Sequence, residues 1–66
     1  MSHYYVNPRP QSNGDHEVHA QECRYCQSDF RYLGEYSSCA PAVRQAKMTY
    51  LRANGCAYCS RDCHTS

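Results

Sequence analysis

Four of the six cysteines in this 66-residue chain fall into two Cys-x-x-Cys pairs, Cys23-Arg24-Tyr25-Cys26 and Cys56-Ala57-Tyr58-Cys59. Two residues between ligands let a single turn present both sulfurs to one ion. Two such pairs in one short chain are the sequence form of a tetrathiolate zinc site. The constraint is severe, because the pairs lie far apart in sequence. Any fold must bring residues 23–26 against residues 56–59.

The chain has little else to hold it together. A domain of this length buries only about 60% of its unfolded surface. The strongly apolar residues are Val6, Val18, Phe30, Leu33, Val43, Met48 and Leu51. Such sparse aliphatic content suggests disorder when paired with high net charge. Here the net charge is only +1, and seven tyrosines offer rings for packing. A core built from Tyr and Ala needs a staple.

Metal and disulfide are the two candidates. Met1-Ser2-His3-Tyr4-Tyr5-Val6 shows no basic stretch followed by an apolar run. Neither a signal peptide nor a membrane span is read there, and the expected location is cytoplasmic. Thiols stay reduced in that compartment, which favours Zn²⁺ over disulfide bridges. A disulfide-stabilised or thiol-redox protein is the competing framework. The low net charge, without a polybasic block, gives no strong electrostatic case for nucleic acid or anionic membrane.

The chain reads as one α+β domain spanning residues 1–66. Tyr4-Tyr5-Val6 suits a first strand, ended by Pro8 and Pro10. Ser12-Asn13-Gly14-Asp15 is a turn, and His16-Glu17-Val18-His19 a second strand. Phe30 to Tyr36 alternates as a third strand, with Phe30, Tyr32, Gly34 and Tyr36 on one face and Gly34 marking a bulge or close approach. A helix follows over roughly residues 39 to 53, capped by Ser37 or Ser38 and with Pro41 in its first turn. Its inner face runs through Val43, Ala46, Lys47, Tyr50 and Ala53. Asn54-Gly55 reads as a left-handed stop. The expected fold is an antiparallel sheet of about three strands packed on one C-terminal helix, followed by the second cysteine turn.

The ligand set read from spacing is Cys23, Cys26, Cys56 and Cys59. His19, separated from Cys23 by three residues, resembles a strand-to-turn ligand and is the alternate to Cys26. Cys63 and His64 are alternates for the last pair. Cys39 opens the helix, where the dipole lowers a thiol pKa. It reads either as a reactive thiol or as a small buried hydrophobe.

The order of parts resembles the small Ada-type zinc domain: a cysteine pair, a strand of the form Tyr32-Leu33-Gly34-Glu35-Tyr36, a Ser-led helix, then Gly55-Cys56-x-x-Cys59. The resemblance spans residues 19 to 59. It implies four cysteine ligands, with Cys23 or Cys26 as a methyl acceptor from a DNA phosphotriester. The segment around the first pair departs from that family in lacking its basic, proline-flanked character. The histidine-bearing strand and the Cys63-His64 tail are further departures. Short stand-alone zinc proteins of bacteria or phages offer the broader likeness.

Three function classes follow. The leading one is a non-catalytic zinc-binding module that meets a protein partner. Nucleic-acid binding of the Ada type is the alternative, with Arg24, Arg31, Arg44, Lys47 and Arg52 meeting phosphates. Thiol redox is disfavoured because Cys56 follows a helix, whereas a redox pair opens one. No nucleophile motif supports an enzyme.

Overall fold

A computed structural model describes residues 1–64. Its elements are strands β1 (Ser2–Val6), β2 (His16–Ala20) and β3 (Arg31–Tyr36), helix α1 (Cys39–Ala46), strand β4 (Ala53–Gly55) and a single 3-10 turn at Arg61–Cys63. The strands form one sheet in the order β3-β1-β2-β4. The β1 strand is antiparallel to both β2 and β3, whereas β4 runs parallel to β2. The sheet is therefore mixed, with a fourth strand where three antiparallel ones were expected. Among the described residues, no helix is long and apolar enough to cross a membrane.

The β1–β2 connection turns where Asn13-Gly14 predicts it. Gly14 takes φ +88°, a conformation that side chains with a Cβ resist. Alternation then sorts the strand residues. Tyr4, Val6, Val18 and Ala20 are buried with Cys39, Ala42, Val43 and Ala46 of α1 in one core cluster. The helix residues recur at i, i+3, i+4 and i+7, one stripe of an α-helix. Glu17 and His19 point to the other face of β2, away from Val18.

The helix ends at Ala46, well short of the expected residue 53. Past Val43 the chain tightens: the Met48 N–H donates to the Gln45 carbonyl and the Thr49 N–H to the Ala46 carbonyl. Residues 53–55 are drawn into parallel pairing with β2, matching His16 with Ala53 and Val18 with Gly55. Burial in a sheet outweighs the helix propensity of the Ala53 segment. The Asn54-Gly55 pair is accordingly no left-handed stop, since Gly14 and Gly34 are the positive-φ glycines among the described residues. The Asn54 side chain instead accepts the Gly55 N–H and donates to Asp15.

The expected face of β3 is broken in the middle. Tyr4 pairs with Gly34 but Tyr5 pairs with Tyr32, so Leu33 is an extra residue and the strand bulges. Gly34 takes φ +129° at the bulge. One inserted residue reverses the alternation. Tyr32 lies against Tyr5, with ring centroids 5.2 Å apart, whereas Leu33 and Tyr36 pack on the core.

Candidate metal centre

Three segments converge beside β2. His19 is the fourth residue of that strand and is almost fully enclosed. Cys23 lies just beyond the strand's end, in a turn closed by its N–H to the Ala20 carbonyl. Cys56 follows β4 directly, and its N–H bonds the Val18 carbonyl, extending the parallel ladder by one step. Cys59 is on the next turn, which the Ser60 N–H closes onto the Cys56 carbonyl.

The ligand atoms of His19, Cys23, Cys56 and Cys59 all lie within 4.8 Å of one another. A tetrahedron with Zn–S bonds of about 2.3 Å has S···S edges of roughly 3.8 Å. The four groups are therefore within about 1 Å of enclosing an ion. Three sulfurs and one imidazole are a soft, tetrahedral donor set.

Backbone donors already point at the sulfurs. The Ala20 N–H meets Cys59 Sγ at 3.3 Å and the Tyr58 N–H meets Cys56 Sγ at 3.4 Å. Such donors stabilise thiolate charge. Without an ion, burial pushes the Cys59 thiol up to about 12, against its backbone donor. Burial lowers the pKa of His19, partly opposed by Glu17. The imidazole is thus held neutral, the form that binds metal.

Spacing alone reads Cys26 into the ligand set, yet its sulfur is not in the group of four. Its N–H closes a turn onto the Cys23 carbonyl, and its side chain borders a shallow groove with Tyr5, Gln21, Gln27 and Ser28. Burial, then the charges of Cys23 and Glu22, raise its pKa. Cys23, Cys56 and Cys59 are in the cluster, and His19 stands where spacing suggests Cys26.

The remaining candidates have other roles. Cys63 is disulfide-bonded to Cys39, so Cys39 is no reactive thiol, and it is buried in the core cluster as the hydrophobe reading expects. The bridge ties the start of α1 to the 3-10 turn that follows the second Cys-x-x-Cys pair. His64 Nδ1 bonds the Gly55 carbonyl at 2.9 Å. His16 stacks on Tyr50, with centroids 4.2 Å apart. The expectation of uniformly reduced thiols is therefore corrected to one disulfide and four free cysteines. The sequence held no signal for this pairing, because Cys39 and Cys63 belong to no motif.

The two turns also meet through their tyrosines. Tyr25 and Tyr58 occupy the same place in each Cys-x-Tyr-Cys pair, and their ring centroids are 5.1 Å apart. That contact is worth about 1 kcal/mol.

No protein-family model, curated protein or solved structure matches this chain.

Proposed function

We propose that this protein is a small zinc-binding module in which His19, Cys23, Cys56 and Cys59 hold one Zn²⁺ and the ion does structural rather than catalytic work. The convergence of four ligand atoms within 4.8 Å carries this reading. Its chemistry supports a closed site: three thiolates and an imidazole fill a tetrahedron and leave no position for substrate. The ion would join the β2 end to the arm after β4, supplementing a core whose largest fully buried side chains are Val6, Val18 and Cys56. In a chain this short, metal-binding free energy is in effect folding free energy. The exposed rings of Tyr25, Tyr32 and Tyr58 support a task of presenting a surface to a protein partner.

Native mass spectrometry with free-thiol counting tests the reading. The expected species carries one zinc, one disulfide and four thiols, of which Cys23, Cys56 and Cys59 become alkylatable only after chelation. A chain that takes up no zinc, or keeps its full thermal stability once stripped by chelator, overturns it.

A further inference from the structure

Glu17 and His19 are two residues apart on β2, so strand geometry places both side chains on the same face. The two ring nitrogens of His19 have different surroundings. Nδ1 lies 4.0 Å from Cys59 Sγ, inside the ligand cluster. Nε2 lies 3.4 Å from Glu17 Oε1. The His19 side chain is only 3% exposed, and its ring packs against Phe30 at 5.5 Å between centroids. A ring so enclosed cannot exchange its nitrogens without displacing neighbours.

We propose that Glu17 is a positioning residue of the metal centre: its carboxylate takes the Nε2–H of His19, fixing the tautomer in which Nδ1 is the ligand. This inference rests on the zinc reading above and extends it by one residue. Its physics is that of a carboxylate–histidine–metal relay. A metal on Nδ1 withdraws electron density and makes Nε2–H a stronger donor. The carboxylate in turn raises the basicity of the ligating nitrogen. Zn²⁺ with three thiolates and a neutral imidazole carries net charge of about −1. A carboxylate beside that charge is unfavourable unless it faces a proton donor, and Nε2–H is that donor.

The same geometry explains why an acid is useful at position 17. Glu17, His19 and Cys56 line a groove together with Gln11, Tyr25 and Tyr58. Water in that groove would otherwise compete for Nε2–H and leave the ring orientation to packing alone.

The experiment uses the full-length, zinc-loaded, disulfide-intact chain. Long-range ¹H–¹⁵N NMR on the imidazole distinguishes a metal-bound nitrogen from a protonated one. The expected pattern for His19 is metal on Nδ1 and a slowly exchanging proton on Nε2. In a chelator competition, Glu17→Ala should lower zinc affinity about 10- to 100-fold. Glu17→Gln keeps an acceptor oxygen and should recover most of that loss. Glu35→Ala removes an acid from β3 instead and should leave affinity unchanged. Metal on Nε2, or a Glu17→Ala affinity within about twofold of the parent chain, would overturn the proposal while leaving the zinc site standing. A parent chain that binds no zinc overturns both. Should Glu17→Ala fail to fold, the nitrogen assignment in the parent chain still decides the matter.

Discussion

Gly55 and Cys63 are so close that a Cβ at position 55 would lie 2.6 Å from the Cys63 Cβ, 2.7 Å from the Ser60 carbonyl oxygen and 2.8 Å from the Cys63 carbonyl carbon. The arm carrying Cys56 and Cys59 folds back over the end of β4, and only a residue without a side chain leaves it room. Gly55→Ala should therefore destabilise the protein by about 2 kcal/mol or more, because backbone atoms must move to admit the methyl group. Thermal unfolding of the zinc-loaded protein checks this, and an unchanged midpoint would contradict the packing.

The Cys39–Cys63 disulfide closes a separation of 24 residues and fastens the far end of that same arm to α1. The Cys63 N–H bonds Ser60 and the His64 N–H bonds Arg61, contacts within the arm itself. The double variant Cys39→Ser/Cys63→Ser should lose about 3 kcal/mol of stability. It should also release zinc to a chelator faster than the parent chain, because the Cys59 side of the site loses its covalent anchor. Equal release rates would show that the disulfide and the metal centre act independently.

Cys26 and Cys56 should respond very differently to substitution. Cys56→Ser removes a buried ligand sulfur and should abolish stoichiometric zinc retention. Cys26→Ser changes a half-buried thiol outside the cluster and should retain one zinc. Metal content after gel filtration separates the two outcomes. Zinc loss in Cys26→Ser would restore the ligand set read from spacing.

Zinc uptake should depend on pH mainly through the thiols. In the metal-free chain Cys59 holds its proton up to about 12, because burial disfavours the thiolate. Zinc must displace that proton, so affinity rises with pH, by about tenfold per unit for each proton released. His19 has its pKa lowered from 6.5 by burial. Above that value its imidazole is already neutral, releases no proton on binding the ion and adds no pH dependence. Calorimetry in buffers of different ionisation enthalpy would count the protons. A pH-independent affinity between about pH 6.5 and 8 would contradict the assignment of thiols as ligands.

Asp15 fastens the β1–β2 loop to the segment leading into the metal arm. Its carboxylate accepts from Arg52 Nε at 3.2 Å, from Asn54 Nδ2 at 3.2 Å and from Asn13 Nδ2 at 3.3 Å. Asn54 is 5% exposed, so its amide would lose a partner in a site that water reaches poorly. Asp15→Ala should cost about 2 kcal/mol. The Arg52 contact is largely solvent-exposed and contributes little of that, so Arg52→Ala should cost under about 1 kcal/mol. Denaturant midpoints for the two variants give the comparison.

Local chemistry was legible along the chain. The Asn13-Gly14 turn, the first three strands, the start of α1 near Cys39 and the bulge at Gly34 follow from residues acting on their immediate neighbours. So does the closeness of Cys56 and Cys59, which one turn delivers together. What the sequence by itself determined was this set of pieces and the need for a staple between them. Tertiary structure decided how they are joined. Whether residues 53–55 stop a helix or become a strand depends on the open edge of β2, which their own propensities do not describe. Whether His19 or Cys26 completes the cluster depends on the register of β2 against β4 and on which way each side chain leaves its backbone. The pairing of Cys39 with Cys63 depends on the 3-10 turn lying against the start of the helix. Each of these outcomes is set by contacts between residues distant in sequence, whose energies exist only once the sheet has assembled.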